Sequence, residues 1–373
     1  MEEMVMFANA YRGKKVWLSG HTGFKGSWLA AWLMELGAEV HGFALPAATT
    51  PALFNQLGLQ RSVRHELGDI RDFDAVRRSL AAAQPDFVFH LAAQPLVRHS
   101  YQEPLATYAT NVMGTAHVLE AVRSLTRPCA VVCVTTDKCY ENREWLHAYR
   151  ESDALGGHDP YSSSKAAAEL AIASWRKSFF PDSHSVKIAS ARAGTVIGGG
   201  DWAPDRLVPD CARALHRNEA IAIRNRTATR PWQHVLEPLS GYLWLGAVLA
   251  RPALRPFEPA LFRDAFNFGP DNNSNRTVAE VVQEILRHWP GRWEDRSDPQ
   301  AAHEARLLHV STDKAHHLLG WRPVWDFART VTETARWYQA DHAGADDAPA
   351  RTRDQIAAYQ SDAHARHLPW ACA

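Results

Sequence analysis

The side chains best suited to chemistry lie in the stretch 130–165, where polar groups follow an apolar run that predicts a buried strand. The candidate catalytic residues there are Thr136, Asp137, Lys138, Tyr161 and Lys165. Tyr161 and Lys165 are four residues apart in a predicted helix, so they share one face of it. An ammonium group beside a phenol favours the phenolate and lowers the pKa of the tyrosine, which then acts as a base nearer neutral pH. The pattern therefore indicates proton transfer at the end of a strand.

A glycine-rich loop near the start of the chain is the element that must position a cofactor against these residues. A strand over 15–19, the loop 20–26, a helix over 27–36 and a strand over 38–44 follow one another. This order is typical of the opening of a dinucleotide-binding fold, where amides and the positive helix dipole face a pyrophosphate. The loop supplies the candidate contacts Gly20, His21, Thr22, Gly23, Phe24, Lys25 and Gly26.

One feature of a dinucleotide site is missing from the sequence. An acid normally follows the glycines by about 20 residues and binds the adenine ribose hydroxyls. Over 40–60 the only titratable side chain is His41, and no arginine is present to meet a 2′-phosphate. These residues alone therefore do not choose between NAD and NADP, and they indicate modest cofactor affinity.

Composition excludes several classes of function. The 373 residues include 41 basic and 41 acidic ones, so the net charge is zero and indicates neither nucleic-acid binding nor an anionic membrane surface. No apolar run reaches membrane-spanning length, and residues 1–7 lack the basic and apolar regions of a secretory signal. The five cysteines have no metal-site or disulfide-framework spacing, so no metal is predicted and a reducing cytoplasm is expected.

The G-x-x-G-x-x-G spacing of 20–26, taken with Tyr161 and Lys165, resembles the extended short-chain dehydrogenase/reductase family. The resemblance implies an α/β fold with a Rossmann-type doubly wound parallel sheet and a smaller, interleaved C-terminal substrate lobe. It also implies that Asn111 braces the active-site strand. Further cofactor contacts that it implies are Asp69 and Ile70 beside the adenine, and Leu91, Ala92 and Ala93 at a strand end, together with Tyr161 and Lys165.

Within that family the chain resembles the CDP-glucose 4,6-dehydratases over about residues 13–337. The blocks that carry this resemblance are 20–28, 93–98, 137–145, 156–161, 196–202 and 230–240. They imply NAD-mediated oxidation at carbon 4 of CDP-glucose, elimination of water across carbons 5 and 6, and hydride return to carbon 6, for deoxysugar biosynthesis. Asp137 is then the acid and Lys138 the base of the elimination. The sequence departs from the family at Thr195, where an asparagine is usual, and at His158, where a tyrosine is usual.

The substrate contacts predicted are Gln94, Thr195, Trp202, Arg206, Arg230 and His234. A guanidinium fork suits a diphosphate, so Arg206 and Arg230 are candidates for its recognition, with a domain-bracing ion pair as the alternative. Gln94 either reaches the sugar hydroxyls or caps a loop. Trp202 either stacks on the nucleotide base or packs within the lobe.

The predicted organisation is a dinucleotide-binding domain over 1–195 with return segments near 235–270, a discontinuous substrate lobe over 196–340, and a peripheral tail over 341–373. The resemblance implies a homodimer or homotetramer that associates through helices over 111–123 and 161–180. Two alternatives of the same class stay open: a sugar-nucleotide 4-epimerase, and a dehydratase acting on another nucleotide sugar. A non-catalytic dinucleotide sensor is a third, although it has no need of the tyrosine, lysine and hydroxyl together.

Overall fold

The computed structural model describes residues 5–297, 307–344 and 347–372. Its main element is a seven-stranded sheet in which every strand pairing is parallel. The strand order is β11-β6-β5-β4-β1-β2-β3, which is the order of a doubly wound nucleotide-binding sheet with one strand added beyond β6. The predicted fold class is therefore confirmed. Residues 298–306 of the predicted lobe and 345–346 of the predicted tail lie outside the described part.

The strands are β1 Lys15–Ser19, β2 Glu39–Ala44, β3 Arg64–Leu67, β4 Phe87–His90, β5 Cys129–Val134, β6 Val186–Ala193, β7 Val196–Ile197, β8 Ile221–Ile223, β9 Thr229–Pro231, β10 Gln233–His234, β11 Ala265–Phe268, β12 Asn275–Thr277 and β13 Trp293–Asp295. The helices are α1 Phe24–Glu35, α2 Leu53–Gln56, α3 Phe73–Ala83, α4 Val97–Gln102, α5 Pro104–Tyr108, α6 Gly114–Arg123, α7 Pro160–Phe179, α8 Leu207–His216, α9 Leu236–Ala250, α10 Val278–His288, α11 Phe327–His342, α12 Ala348–Ala365 and α13 Pro369–Cys372. The helix predicted over 27–36 begins three residues earlier, so that the last glycine of the loop lies inside its first turn.

Each face of the large sheet is covered by its own hydrophobic core, because side chains alternate along the strands. Along β1, Val16 and Leu18 belong to the larger core, whereas Trp17 packs on the other face with Phe43. Helices cover both faces, as an all-parallel sheet requires. Both faces of the sheet are thus covered along its central strands, while the edge strand β3 is partly exposed. The carboxyl ends of the central strands are where side chains are free to meet a ligand.

The lobe is built from short pairs of strands beside the carboxyl edge of the sheet. β7 pairs with β10, β9 with β12, and β8 with β13. Two elements within this part of the chain return to the main sheet: α9 contacts β5 and β6, and β11 pairs with β6. The lobe is therefore anchored next to the strands that carry the candidate catalytic residues.

The C-terminal helices are part of the main core, which differs from the peripheral tail expected from the sequence. Tyr359 of α12 and Trp370 of α13 are fully buried, and both rings contact Trp32 of α1. Trp370 also stacks on Phe7 with 5.0 Å between ring centres. These aromatic side chains bury large apolar areas, which the Asp- and Ala-rich composition of the segment conceals.

Helix α11 braces the loop that leaves β7 for the lobe. The Tyr338 hydroxyl donates to the carbonyl of Asp201 at 2.6 Å. Gly199 lies flat against Trp337, where an added Cβ would be 2.0 Å from the indole. The loop is thereby held from the side opposite the cleft.

Among the described residues, none of the helices combines the length and the apolar character that crossing a membrane requires.

Candidate active site

A large cleft of about 1580 Å³ runs along the carboxyl edge of the sheet, between the sheet and the lobe. The glycine loop and the ends of β4 and β5 line one side of it. The start of α7 and residues of the lobe line the other. This is where ligands bind in open α/β sheets, because the strand order reverses there.

The glycine loop is packed so closely that side chains are excluded at two of its positions. Gly20 has a positive φ of 78°, and a Cβ there would lie 2.7 Å from the amide nitrogen of Ala92. A Cβ on Gly26 would lie 2.1 Å from the carbonyl oxygen of Gly20. The three glycines therefore leave the backbone uncovered around the N-terminus of α1, and this shape and polarity fit a dinucleotide pyrophosphate.

The predicted cofactor contacts that line the cleft are Gly20, Thr22, Gly23, Phe24, Lys25, Gly26, Asp69, Ile70, Leu91, Ala92, Ala93, Tyr161 and Lys165. The side chain of His21 points away from it. Its Nε2 lies 2.7 Å from Nδ1 of His65, and its ring packs against Phe54 in the space left by Gly42. Burial lowers the pKa of His21 to about 4, so the ring is neutral at physiological pH.

The end of the cleft beside β2 offers little charge to a ribose. The cleft-lining residues at and just after β2 are Ala44, Leu45, Pro46 and Ala48. Asp69 accepts hydrogen bonds from the Arg71 guanidinium at 2.6 and 2.8 Å, and these bonds hold the pKa of Asp69 below its usual range. The Asp69 carboxylate is thus already bound to Arg71. It does not replace the ribose-binding acid that is missing from the sequence over 40–60.

A short 3₁₀ turn, Asp137–Cys139, follows the end of β5 and is capped by Thr136; we call these four residues the catalytic turn. The Thr136 hydroxyl donates to Asp137 Oδ1 at 3.1 Å and accepts from the Lys138 amide at 3.3 Å. Asp137 is only 3% exposed. Burial raises its pKa even though Lys138, Arg230 and Lys25 oppose the shift. Desolvation therefore outweighs the neighbouring cations, and the carboxyl is biased towards its protonated form.

Helix α7 presents Tyr161 and Lys165 to the cleft from its first two turns. Asp159 caps the helix by accepting from the Ser162 amide at 2.9 Å, and the Tyr161 amide donates to Ser100 Oγ at 3.1 Å. Burial raises the pKa of Tyr161 to about 12, and a hydrogen bond with Thr136 partly offsets this. Burial lowers the pKa of Lys165 to about 8, and its Nζ donates to a backbone carbonyl of β5 at 3.4 Å. The lysine is held by the strand here, and the phenol is held by Thr136.

Asn111 joins α7 to the loop after β4. Its amide donates to Ser164 Oγ at 2.9 Å and to the Gln94 carbonyl at 3.1 Å, while its Oδ1 accepts from the Gln94 amide at 2.8 Å. The Gln94 side chain is itself used in capping, since it donates to Thr107 Oγ1 at 2.9 Å and accepts from the Leu96 amide at 2.6 Å. Gln94 lines the cleft, but its amide is engaged within the loop.

Of the other predicted substrate contacts, Thr195, Arg206 and Arg230 line the cleft. Arg206 donates to Asp201 at 2.8 Å, and this ion pair lies within the lobe, between residues five apart in the sequence. Trp202 and His234 do not line it. The Trp202 indole donates to Gln56 at 3.0 Å. The His234 ring packs between Trp28 and Trp325 and is fully buried.

Two charged residues that the sequence did not single out form a buried ion pair behind these groups. Glu169 accepts from Arg192 at 2.7 Å, from Ser190 at 2.9 Å and from Thr135 at 2.5 Å. Their side chains are only 3% and 4% exposed. The signal in the sequence is the spacing Tyr161, Lys165, Glu169, which continues one stripe along the helix.

Comparison with known proteins agrees with this arrangement. Residues 18–253 match the family model described as GDP-mannose 4,6 dehydratase. The chain is 47% identical over 340 residues to the CDP-glucose 4,6-dehydratase of Salmonella typhimurium, covering 89% of this chain and 92% of the relative. It is 28% identical to a dTDP-glucose 4,6-dehydratase of Xanthomonas campestris, with coverages of 86% and 92%.

Solved structures share the fold at lower identity. The dTDP-glucose 4,6-dehydratase of Bacillus anthracis in complex with NAD superposes with a TM-score of 0.71 at 21% identity, covering 88% of this chain and 97% of that one. The UDP-glucose 4-epimerase of Thermotoga maritima superposes with a TM-score of 0.72 at 20% identity, with coverages of 87% and 99%. Both 4,6-dehydratases and 4-epimerases are thus built on this sheet and lobe.

Proposed function

Since the chain belongs to the nucleotide-sugar 4,6-dehydratase family, we propose that it converts CDP-D-glucose to CDP-4-dehydro-6-deoxy-D-glucose and water. The observation that carries the proposal is Asp137, a buried carboxyl biased towards protonation, in one cleft with Tyr161 and Lys165. A 4-epimerase needs the tyrosine, the lysine and a hydroxyl, but it has no use for an acid that protonates a leaving group. The 47% identical relative supports CDP-glucose as the substrate.

The cofactor that we propose is NAD, held by the glycine loop and the small residues after β4. When bound, NAD supplies the hydride acceptor for carbon 4 and the donor for carbon 6, so none is consumed overall. Gly20 and Gly26 leave the pyrophosphate in reach of the α1 amides. Ala92 and Ala93 leave room beside it. The uncharged residues after β2 support modest affinity.

In the oxidation step, Tyr161 removes the proton of the carbon-4 hydroxyl. Its phenol reaches the cleft beside Thr136, whose hydroxyl donates to the same sugar oxygen. The raised pKa of Tyr161 means that the phenolate needs a nearby cation, and we assign this role to Lys165, which lies one helical turn away on the same face of α7. The base, the hydroxyl and the ammonium are therefore assigned to one step.

In the elimination step, the carbon-4 ketone makes the proton on carbon 5 acidic. Lys138 removes that proton, and the electron pair of the C5–H bond forms the C5–C6 double bond. The C6–O bond breaks, and its oxygen takes the proton of Asp137 and leaves as water. Lys138 then returns its proton to carbon 5 as hydride adds to carbon 6. Asp137 suits the role of acid because burial keeps its pKa raised.

The diphosphate of the substrate is assigned to Arg206 and Arg230, which face the cleft from the lobe. Arg206 would then exchange its bond with Asp201 for one with a phosphate. Thr195 faces the cleft beside them and offers one hydroxyl where relatives offer an amide. We expect this difference to affect the nucleotide preference of the enzyme more than any other property.

The test is an assay of the purified protein with NAD and CDP-glucose, in parallel with dTDP-, UDP- and GDP-sugars. The expected product is a 4-keto-6-deoxy sugar that absorbs in alkali, formed from CDP-glucose. If a product forms only from another nucleotide sugar, the proposed reaction stands but its nucleotide specificity differs. We would attribute that difference to Thr195. An epimer without ketone would contradict the roles of Asp137 and Lys138.

A homodimer is the assembly that we propose, formed through residues 111–123 and helix α7, which contact each other. Each exposes a large apolar side chain, Met113 at 52% and Leu170 at 60%, and Leu105, in the preceding helix α5, is 85% exposed. Exposed apolar groups on neighbouring elements are typical of protein–protein contact. Sedimentation should give a dimer for the wild type and a monomer for Leu170→Glu. The matched control is Leu146→Glu, which alters an 86% exposed leucine elsewhere. A dimer that survives Leu170→Glu would place the contact on another surface.

The expected setting is a reducing cytoplasm, where the product would enter deoxysugar biosynthesis. All five cysteines are free thiols, and four of them are buried.

A further inference from the structure

The Glu169–Arg192 ion pair contacts the chain on both sides of the catalytic turn. Before the turn, Thr135 donates its hydroxyl to Glu169 at 2.5 Å. After the turn, Arg192 donates to the Tyr140 hydroxyl at 2.8 Å, with its guanidinium 5.1 Å from the centre of that ring. The four residues 136–139 are thus enclosed between two hydrogen bonds that end on one ion pair.

The turn has little to hold it from within. Its own backbone hydrogen bonds are long, 3.4 Å from the Cys139 amide and 3.5 Å from the Tyr140 amide. By contrast, the Tyr140 hydroxyl donates a hydrogen bond of 2.7 Å to Asn267 of β11. This bond attaches the network to the main sheet. The position of Asp137 and Lys138 is therefore set mainly by what holds the ends of the turn.

The ion pair also includes a residue of α7, Glu169, and α7 is the helix that carries Tyr161, the base of the oxidation step. Glu169 follows Tyr161 by two helical turns and Lys165 by one, so the three lie on one stripe of α7. A buried ion pair contributes little net stability compared with apolar side chains of the same size, but it holds its partners in one orientation. Such a pair is expected where relative position is what the site needs.

We propose that the Glu169–Arg192 pair is a positioning device for elimination, which holds Asp137 and Lys138 in place relative to Tyr161. This inference rests on the proposed dehydratase function and extends it. Oxidation depends on it less, because the Thr135 amide is anchored to β6 through the Ala191 carbonyl at 2.8 Å. Thr136, the next residue, therefore keeps its place after the end of β5 even when the side-chain bonds are lost.

The test uses Thr135→Val and Tyr140→Phe, which each remove one hydroxyl and keep the ion pair and the shape of the core. Replacing Glu169 itself would leave Arg192 buried and unpaired and would risk the fold. The matched control is Tyr11→Phe, because Tyr11 is a buried tyrosine that donates to a backbone carbonyl at 2.6 Å outside the cleft. Thermal unfolding of each variant verifies that it is folded.

Two substrates separate the steps. CDP-glucose reports the whole reaction, whereas CDP-6-deoxyglucose has the carbon-4 hydroxyl but no leaving group, so it reports oxidation alone through the absorbance of reduced nicotinamide. Both variants should lose about tenfold or more in dehydration, since misplacement by a fraction of an ångström has such effects. They should keep oxidation of the analogue within about twofold. The rate at which solvent deuterium is incorporated at carbon 5 should fall by the same factor as the rate of dehydration.

Equal losses with both substrates, no loss with either, or the same loss in Tyr11→Phe would each overturn the inference. Failure of the proposed function looks different, because the wild type itself then gives no ketone from CDP-glucose. If the wild type accepts another nucleotide, both substrates carry that nucleotide and the comparison is unchanged.

Discussion

Gly194 provides a direct test of the role of Asp137, because it is the residue against which that carboxyl rests. A Cβ built on Gly194 would lie 2.6 Å from Asp137 Oδ2, 3.3 Å from its Cγ and 3.1 Å from Pro231. Its φ lies outside the left-handed region, so alanine is tolerated by the backbone. Gly194→Ala therefore acts most strongly on the space available to the acid, with a smaller overlap on Pro231.

The size of the effect follows from the contact. Ordinary van der Waals contact begins at 3.4 Å, so Oδ2 must move by about 0.8 Å from its 2.6 Å separation. Misplacement of a reacting group by about 1 Å costs on the order of a hundredfold in rate. Dehydration should therefore fall about 30- to 100-fold, which corresponds to about 2–3 kcal/mol in activation free energy. Overpacking should also cost about 1–3 kcal/mol of stability.

The assay compares kcat for CDP-glucose with oxidation of the 6-deoxy analogue. Gly291→Ala is the matched control, because its Cβ would meet Leu215 at 2.3 Å outside the cleft and disturb packing without reaching Asp137. Oxidation should be nearly unchanged in both variants, and dehydration should fall only in Gly194→Ala. Full dehydration by Gly194→Ala, or an equal fall in Gly291→Ala, would refute the placement of Asp137 as the acid.

Three further predictions follow from the site and the core. Tyr161→Phe should lower turnover by about 10²- to 10⁴-fold and leave NAD binding intact, and calorimetric titration with NAD beside the activity assay measures both; retained turnover would remove Tyr161 from the mechanism. Thr195→Asn should lower KM for CDP-glucose several-fold with little change in kcat, because an amide has two donor hydrogens, whereas a change in kcat alone would place Thr195 at the reacting centre. Burial lowers the pKa of His90 and of His234 to about 3, below their unfolded value, so the stability from keeping them neutral is complete above pH 6.5 and is lost as pH falls towards 3. Between pH 7.5 and 5.5 the two together should cost about 3 kcal/mol in urea unfolding, and His234→Phe should remove about half of that loss.

The order of elements was predictable because the strands of a parallel sheet are short apolar runs separated by glycine-containing turns and polar loops. The strand at 15–19 occurs as predicted, whereas the loop predicted over 20–26 ends at Gly23, where α1 begins. Long-range packing was less visible. Most apolar residues of the segment 347–372 are alanines, and its four large apolar side chains, Ile356, Tyr359, Leu368 and Trp370, all enter the core.

At the site, residue types were easier to predict than side-chain direction. The positions from Thr136 to Lys138 all line the cleft, since they follow directly from the end of a buried strand. His21 and His234 lie in the expected segments but face the core. Which way a ring turns depends on neighbours such as Gly42 and Trp325, which are distant in sequence. Glu169 and Arg192 were not singled out because each is meaningful only beside the other.

The contact of α12 and α13 with α1 has a consequence for how the molecule is made. Domains begin to fold from the N-terminus while synthesis proceeds. Here Phe7 and Trp32 pack against Trp370, which lies more than 330 residues further along the chain, so this contact cannot form until Trp370 has been synthesised. The helix that follows the glycine loop is therefore left with an uncovered apolar flank until residue 370 has been translated. We expect a nascent chain stalled before residue 347 to bind general chaperones, and to release them only when α12 and α13 emerge.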